Sequence, residues 1–445
     1  MRGQGHSTGY SYMMSRVEMN DLKQFVSYVK TDEGIDTANI GIIGSSQGGI
    51  IPFMAACYGE KFKYLVSDLA SPEFASSWIE NGCVKTTLIW SLMYDTTIVR
   101  YSDELKRYRK WILSKRIDYR DSLETYFPKN RDFLSQVNNL NSPVLFSNSW
   151  QDKFFNTMGV IKAAGIIDSN RIPLRVYFGA VPGHGSDEVY SENNFHSGFI
   201  GNWVNFWMFG EGNPGIELTK YTYSSSSNPI DFHHWYYTQS KTDVWPPAGI
   251  KNMRLYFSRG AAGNALLFEQ QKKAIDTISF LNDVKDKKLS MTDALDYAFT
   301  GNEFSDKFAK AMIYFETPPL ENDTKMTGMP KVFLRYTSSA DVSQFNFQIW
   351  EVDENGGMNF VTRINYTDWK LYTGAVKEKV IFGQANSHIF KAGSRIRVYV
   401  TNIDNGPYDE FLGTNPFVLP VLKRAKNIIF MNDEKGSYIE LPVEE

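Results

Sequence analysis

The chain has 445 residues, 42% of them hydrophobic and 22% charged, which suits a globular protein of about two or three domains with sizeable cores. Its 47 Lys and Arg against 50 Asp and Glu leave a net charge of −3, which argues against nucleic acid as the main partner. Two cysteines, Cys57 and Cys83, are too few for a disulfide framework or a zinc site and are expected as small core residues, while no apolar run approaches the roughly 18 residues that span a bilayer.

In chain order, residues 17–31 carry Leu22, Phe25, Val26 and Val29 at helical spacing. A short buried strand is expected at 39–44, followed at once by GSSQGG (44–49), after which Ile50, Ile51, Met54 and Ala55 recur at helical spacing. A serine pinched between strand and helix with glycines around it is the nucleophile elbow of α/β-hydrolases. Ser46 is the central residue of that G-x-S-x-G, and Gly44 and Gly48 are expected to permit the tight turn. The following helix start makes the Gln47 backbone N–H a candidate oxyanion donor. An isolated motif of this kind is as often a plain turn, so its partners have to decide.

Further strands are expected at 63–68, 143–148 and 172–178, with helices between them, which implies a doubly wound, mostly parallel sheet. Residues 75–140 are too long for a loop and are helical in pattern, so they are expected as an inserted cap. Residues 1–74 and 141–215 then form the catalytic domain. The basic run Lys106-Arg107-Tyr108-Arg109-Lys110 belongs to a solvated cap helix on this reading.

A serine hydroxyl needs a base, usually a histidine oriented by a carboxylate, and on this fold the order along the chain is Ser, acid, His. Among the six histidines, His184 in VPGHGSD sits just past a strand end, where this architecture gathers its chemistry. His196 begins a helical run with Phe199, Trp203 and Phe206 and is expected to dock that helix. Asp152, in SWQD just past the 143–148 strand, is the candidate acid, with a helix N-cap as the alternative role. Asp187 follows His184 and is out of order. Trp150 and Trp245 are candidates for the pocket wall and equally for the core.

Past residue 215 the polar stretch YSSSSNP (223–229) is read as a boundary, and 270–312 as a charged, partly helical connection. Residues 216–445 carry short β-branched and aromatic runs, among them KVFLRYTS (331–338), NFQIWEVD (346–353) and RIRVYVTNI (395–403), separated by turn signals; a C-terminal β-sandwich of jelly-roll type is expected.

With these motifs in view, the chain resembles the X-prolyl dipeptidyl peptidase and cocaine esterase family of serine hydrolases. RGQGHSTG (2–9) is similar to the family's arginine–glycine loop, GSSQGG to its nucleophile turn, SWQD to its acid segment and PGHG to its histidine loop. VWPP (244–247), FETPPLENDTKMTGMP (315–330) and SYIELPV (437–443) are similar to landmarks of its C-terminal jelly roll. The resemblance implies Ser46 as nucleophile, Asp152 as orienting acid, His184 as base, no metal and no organic cofactor, and a small ester, amide or short peptide as substrate. Oligomeric state and location stay open.

Two departures accompany the resemblance. Gln47 stands where the family usually has an aromatic residue, so substrate preference does not transfer. The family also begins with strands that precede the RGQGHSTG loop, which leads us to expect an N-terminally truncated chain with any secretion signal upstream of Met1. The alternative function on that basis is an inactive hydrolase relic serving as a binding or structural protein.

Overall fold

The computed structural model describes residues 1–92, 96–114, 116–170, 172–182, 190–212, 220–231, 234–260, 263–270, 274–293, 308–404, 416–432 and 435–444. The chain folds into two compact units: Met1–Trp78, Leu88–Ser224 and Gln239–Trp245 form the first, and Ile79–Thr87, Ser225–Thr238 and Pro246–Glu445 the second.

In the first unit four parallel strands lie side by side: Ile42–Ser45, Leu65–Asp68, Val144–Gln151 and Leu174–Pro182, called first to fourth below. A fifth, Tyr221–Asp231, pairs parallel with the fourth through Val176 and Tyr221. The apolar runs that the sequence marks as strands are all strands here, shifted by a few residues at their ends. Helices cover both faces of the sheet. On one face Phe53, from helix Gln47–Cys57, meets Phe146 at 4.9 Å between ring centroids. On the other, Trp203, from helix Tyr190–Phe209, packs on Tyr64, Val66 and Leu145. This alternation along each strand is the doubly wound arrangement.

The N-terminal helix, Arg16–Val29, starts at a capping box in which Ser15 and Glu18 satisfy each other's end of the first turn. Its buried stripe is Glu18, Met19 and Val26, and Phe25, expected on the apolar face, is 61% exposed. The segment between the second and third strands is helical, with Thr86–Ser91, Asp103–Ile112 and Ile117–Tyr126. Helix Asp103–Ile112 buries Leu105, Tyr108 and Ile112 and turns its basic residues away from that stripe. The fully buried Arg131 guanidinium donates to the carbonyls of Tyr12 and Phe127 at 2.7 and 3.1 Å and pairs with Glu104, which pins this region to the N-terminal loop.

The second unit is built of antiparallel strands around one large apolar core. One run of paired strands joins Ile250–Gly260, Gly263–Leu267, Met312–Glu316, Arg395–Thr401, Ser343–Val352 and Met358–Asp368. Gly263–Leu267 and Met312–Glu316 meet in parallel at a single residue pair. Another run joins Asp276–Val284, Ala425–Met431, Lys331–Ser338, Tyr438–Glu444, Thr324–Gly328 and Asn386–Phe390. Inward residues such as Phe257, Phe347 and Val398 from the first run and Ile429, Val332 and Ile439 from the second fill the core between them, as in a β-sandwich.

Two expectations change. Within 270–312, Asp276–Val284 is a strand whose Ile278, Phe280, Asn282 and Val284 alternate inward, a period of two that the flanking lysines and aspartates obscured. The serine-rich stretch at 223–229 belongs to strand Tyr221–Asp231, with Ser224 and Ser225 fully buried. The unit boundary does fall there, after Ser224, but inside a strand. Its hydroxyls find partners: Ser225 Oγ lies 2.7 Å from Ser387 Oγ, and Ser226 Oγ lies 2.9 Å from His388 Nδ1. Both cysteines are buried and neither is in a disulfide, and Cys83 Sγ lies 3.1 Å from Thr367 Oγ1.

Candidate active site

Ser46 sits between the first strand and helix Gln47–Cys57 with φ 57° and ψ −125°, a backbone that a non-glycine residue adopts only under constraint. The constraint is visible. The Ser46 N–H donates to the Asp68 carbonyl at 2.9 Å, and the Ser46 carbonyl accepts from Gly49 and Ile50 at 2.9 and 3.0 Å. A β-carbon on Gly44 would lie 1.9 Å from the Gly48 carbonyl oxygen, and one on Gly49 would lie 2.7 Å from the Asp68 carbonyl oxygen. One on Gly48 would meet nothing within 4 Å. The glycines that permit the turn are therefore Gly44 and Gly49, where the sequence pointed to Gly44 and Gly48. Pro52, within the helix, has no N–H for the Gly48 carbonyl, the carbonyl that leans against Gly44.

Gln47 opens the helix, where backbone N–H groups lack intrahelical acceptors and the helix dipole favours negative charge. Its side chain is also placed. Gln47 Oε1 accepts from Gln4 Nε2 at 3.2 Å, and Gln47 Nε2 is buried without an acceptor. Gln4 is held in turn by the loop around it: Gly5 N–H donates to the Ile98 carbonyl at 2.7 Å and Arg100 N–H to the Gly3 carbonyl at 2.7 Å.

Asp152 follows the third strand and is 1% exposed; its Oδ1 accepts from the Phe154 and Phe155 N–H groups at 2.7 and 2.8 Å. The carboxylate thus has a fixed orientation at the C-terminal end of the sheet, the same end as Ser46. The fourth strand, Leu174–Pro182, ends two residues before His184 in the sequence. His184 and Asp187 lie outside the described residues.

Trp150 is a core side chain: it is 1% exposed, its indole N–H donates to the Ser224 carbonyl at 2.8 Å, and its ring packs on Phe178 and Trp245 with centroids 4.6 and 5.7 Å away. Of its two readings the packing one describes this structure. Trp245 joins the same aromatic group through Tyr221 and Tyr223.

His196 does fasten its helix to the sheet. Its Nε2 contacts Ser147 Oγ and lies 3.3 Å from Asp68 Oδ1, and its ring stacks on Tyr177 at 5.6 Å. Burial works to raise the Asp68 pKa, but the His196 imidazole and the hydroxyls of Ser45 and Ser147 outweigh it and hold the carboxyl below its ordinary range. This cluster, directly beneath the elbow, went unseen in the sequence. Its members are register partners on parallel strands (Ser45 with Asp68, Asp68 with Ser147), a relation that spacing along the chain does not carry.

Glu192 was likewise missed. It is fully buried, and its Oε1 accepts from Tyr177 Oη at 2.5 Å and from the Ala180 N–H at 2.9 Å. Burial and then the Glu192 charge raise the Tyr177 pKa far above its ordinary value. Among the described residues no group of His, Cys, Asp and Glu could hold a metal ion, and no helix is long and apolar enough to cross a membrane.

Comparison with known proteins gives a family and a fold. Residues 1–165 match the X-Pro dipeptidyl-peptidase (S15 family) profile, and residues 219–440 match that of the X-Pro dipeptidyl-peptidase C-terminal non-catalytic domain. The first match contains Ser46 and Asp152 and ends before His184. No curated protein sequence matches the chain. Among solved structures, a CocE/NonD family hydrolase from Staphylococcus aureus superposes with a TM-score of 0.75 at 15% identity, covering 100% of this chain and 79% of that one. An aminopeptidase from a marine sediment Thaumarchaeota archaeon gives 0.72 at 13% identity, and an α-amino acid ester hydrolase 0.72 at 14%. Each of these two covers 100% of this chain and 84% of its own. At such identities the likeness speaks for the fold: an α/β-hydrolase with a β-rich C-terminal domain.

Proposed function

The chain belongs to the X-Pro dipeptidyl-peptidase and cocaine esterase family of serine hydrolases, and from that premise we propose that it cleaves a small ester or amide, an N-terminal X-Pro dipeptide among the candidates, by two-step acyl transfer from Ser46. The single observation that carries this reading is the constrained backbone of Ser46 between strand and helix. That backbone costs on the order of 1–3 kcal/mol, a strain that nucleophile elbows hold in order to present the hydroxyl.

In the proposed mechanism Ser46 Oγ attacks the carbonyl carbon while His184 takes the hydroxyl proton. Asp152, fixed by two backbone N–H groups, selects the histidine tautomer and stabilises the imidazolium. The Gln47 N–H donates to the oxyanion; one such donor contributes about 3 kcal/mol to transition-state stabilisation. His184 then protonates the departing alcohol or amine and later removes a proton from the water that releases the acyl group. Substrates of this class are small molecules or short peptides, as the family implies.

The test is active-site labelling with a fluorophosphonate, paired with hydrolysis of p-nitrophenyl acetate and of an X-Pro p-nitroanilide. Stoichiometric labelling at Ser46 is expected, and Ser46→Ala should lower hydrolysis on the order of 10⁶-fold. A Ser46→Ala protein that cleaves either substrate at the parent rate overturns the reading. A folded parent protein that neither labels nor turns over supports the binding-protein alternative.

A further inference from the structure

The first unit holds a cavity of about 390 Å³ between helix Tyr190–Phe209 and the sheet. It is a different place from the elbow. Its floor includes Leu145 and Arg175, register partners near the starts of the third and fourth strands. At about 3.3 Å per residue, Leu145 stands roughly 20 Å along the strand from Asp152.

The cavity's chemistry is one-sided. Arg175 and Lys241 both line it, and among the described residues no carboxylate does. Burial pulls the Arg175 pKa down, and its guanidinium lies 5.4 Å from the centroid of the Phe199 ring, another lining group. Trp203, also in the lining, is fully buried, and its indole N–H has no acceptor. Thr222 and Asn202 add further hydrogen-bonding groups. A buried donor without an acceptor is costly, and a desolvated guanidinium favours a planar bidentate anion. Aromatic and aliphatic surface beside those groups leaves room for a hydrocarbon body.

We propose that this cavity binds an amphipathic monocarboxylate, such as an aryl-substituted short-chain acid. The carboxylate sits against Arg175 and Lys241, with the Trp203 indole as a further donor, and the hydrocarbon lies along Phe199 and Leu145. The assignment does not depend on the catalytic reading, because none of these residues belongs to the elbow or follows the strand ends.

The experiment is calorimetric titration of the full chain, with Ser46 blocked by a fluorophosphonate or replaced in Ser46→Ala, using 4-phenylbutyrate and the neutral 4-phenylbutan-1-ol as probes. The acid should bind one to one, with the alcohol weaker by about tenfold or more, as loss of a charge-assisted pair implies. Arg175→Met should weaken the acid by about tenfold and leave the alcohol unchanged. Lys241→Gln, at an exposed residue where folding is not at stake, should weaken the acid about threefold and remove part of its salt dependence. Equal binding of acid and alcohol overturns the proposal. So does the absence of heat at millimolar acid, or an acid affinity that neither substitution changes.

Discussion

The backbone N–H of Ser46 donates to the carbonyl oxygen of Asp68 at 2.9 Å, while the side chain of the same aspartate faces His196 at 3.3 Å. One residue thereby ties the strained turn to the neighbouring strand and helix Tyr190–Phe209 to the sheet. Because the folded-state pKa of Asp68 is depressed, its ionised form stabilises the fold above its unfolded pKa near 3.8, and that contribution is lost as the pH falls through the folded value. Asp68→Asn should therefore lower stability by about 2 kcal/mol at pH 7, the size expected for hydrogen bonds to a charged group. The gap between parent and variant should hold down to about pH 5 and close below about pH 4. Parallel denaturation midpoints from pH 7 to pH 3 would count against the ionised carboxylate as the stabilising species.

The glycines of the elbow divide sharply. Alanine at Gly49 brings its methyl to 2.7 Å from one backbone oxygen and 2.8 Å from another, and at Gly44 to 1.9 Å from a third. Backbone cannot rotate away as a side chain does, so each substitution should cost about 3 kcal/mol or more. Gly48→Ala meets open space inside a helix and should stabilise by up to about 1 kcal/mol. Urea denaturation of the three variants decides the matter, and a Gly48→Ala protein as weak as Gly49→Ala would refute this account of the turn.

Most of the architecture was legible because it rests on local signals. The apolar runs before Ser46 and Asp152 have the length and composition of buried parallel strands. The sandwich strands announce themselves by alternation, as in Lys331–Ser338. What escaped is whatever depends on tertiary partners. The stretch with Ser224 and Ser225 reads as a boundary, which it is, but its polar run hides a strand whose hydroxyls are buried and satisfied within the fold. The role of Gly49 depends on how closely the second strand approaches, and the Asp68–His196 pair joins residues 128 positions apart through strand register. Ser46 and Asp152 are assigned by pattern, and both stand at one end of the sheet; His184, assigned by order and flanking glycines, lies outside the described residues.

Gln47 replaces an aromatic residue of the resembled family, and its side-chain Nε2 is buried without an acceptor while Oε1 is engaged by Gln4. If Ser46 is the nucleophile, as proposed, this donor stands beside the reacting carbonyl and is available to an oxygen of the substrate. On the proposed mechanism, Gln47→Leu should lower kcat/KM about tenfold for substrates with an acceptor beside the scissile carbonyl, and less for p-nitrophenyl acetate. Fluorophosphonate labelling should stay stoichiometric. Equal losses on both substrate types would assign Gln47 to packing instead.

Glu192 links the fourth strand to helix Tyr190–Phe209, since its Oε1 accepts both the Tyr177 hydroxyl at 2.5 Å and the Ala180 N–H at 2.9 Å. All of this is buried, so Glu192→Ala strands two donors at once and should cost about 3 kcal/mol. Tyr177→Phe removes one of those donors, although Tyr177 Oη also lies 3.1 Å from Ser224 Oγ. In the Glu192→Ala background the Tyr177→Phe change should therefore be milder than in the parent, by about 1 kcal/mol or more. A double-mutant cycle in urea measures that coupling directly. Additive effects would mean that the tyrosine and the glutamate stabilise the strand end independently, and that the short bond between them contributes nothing net.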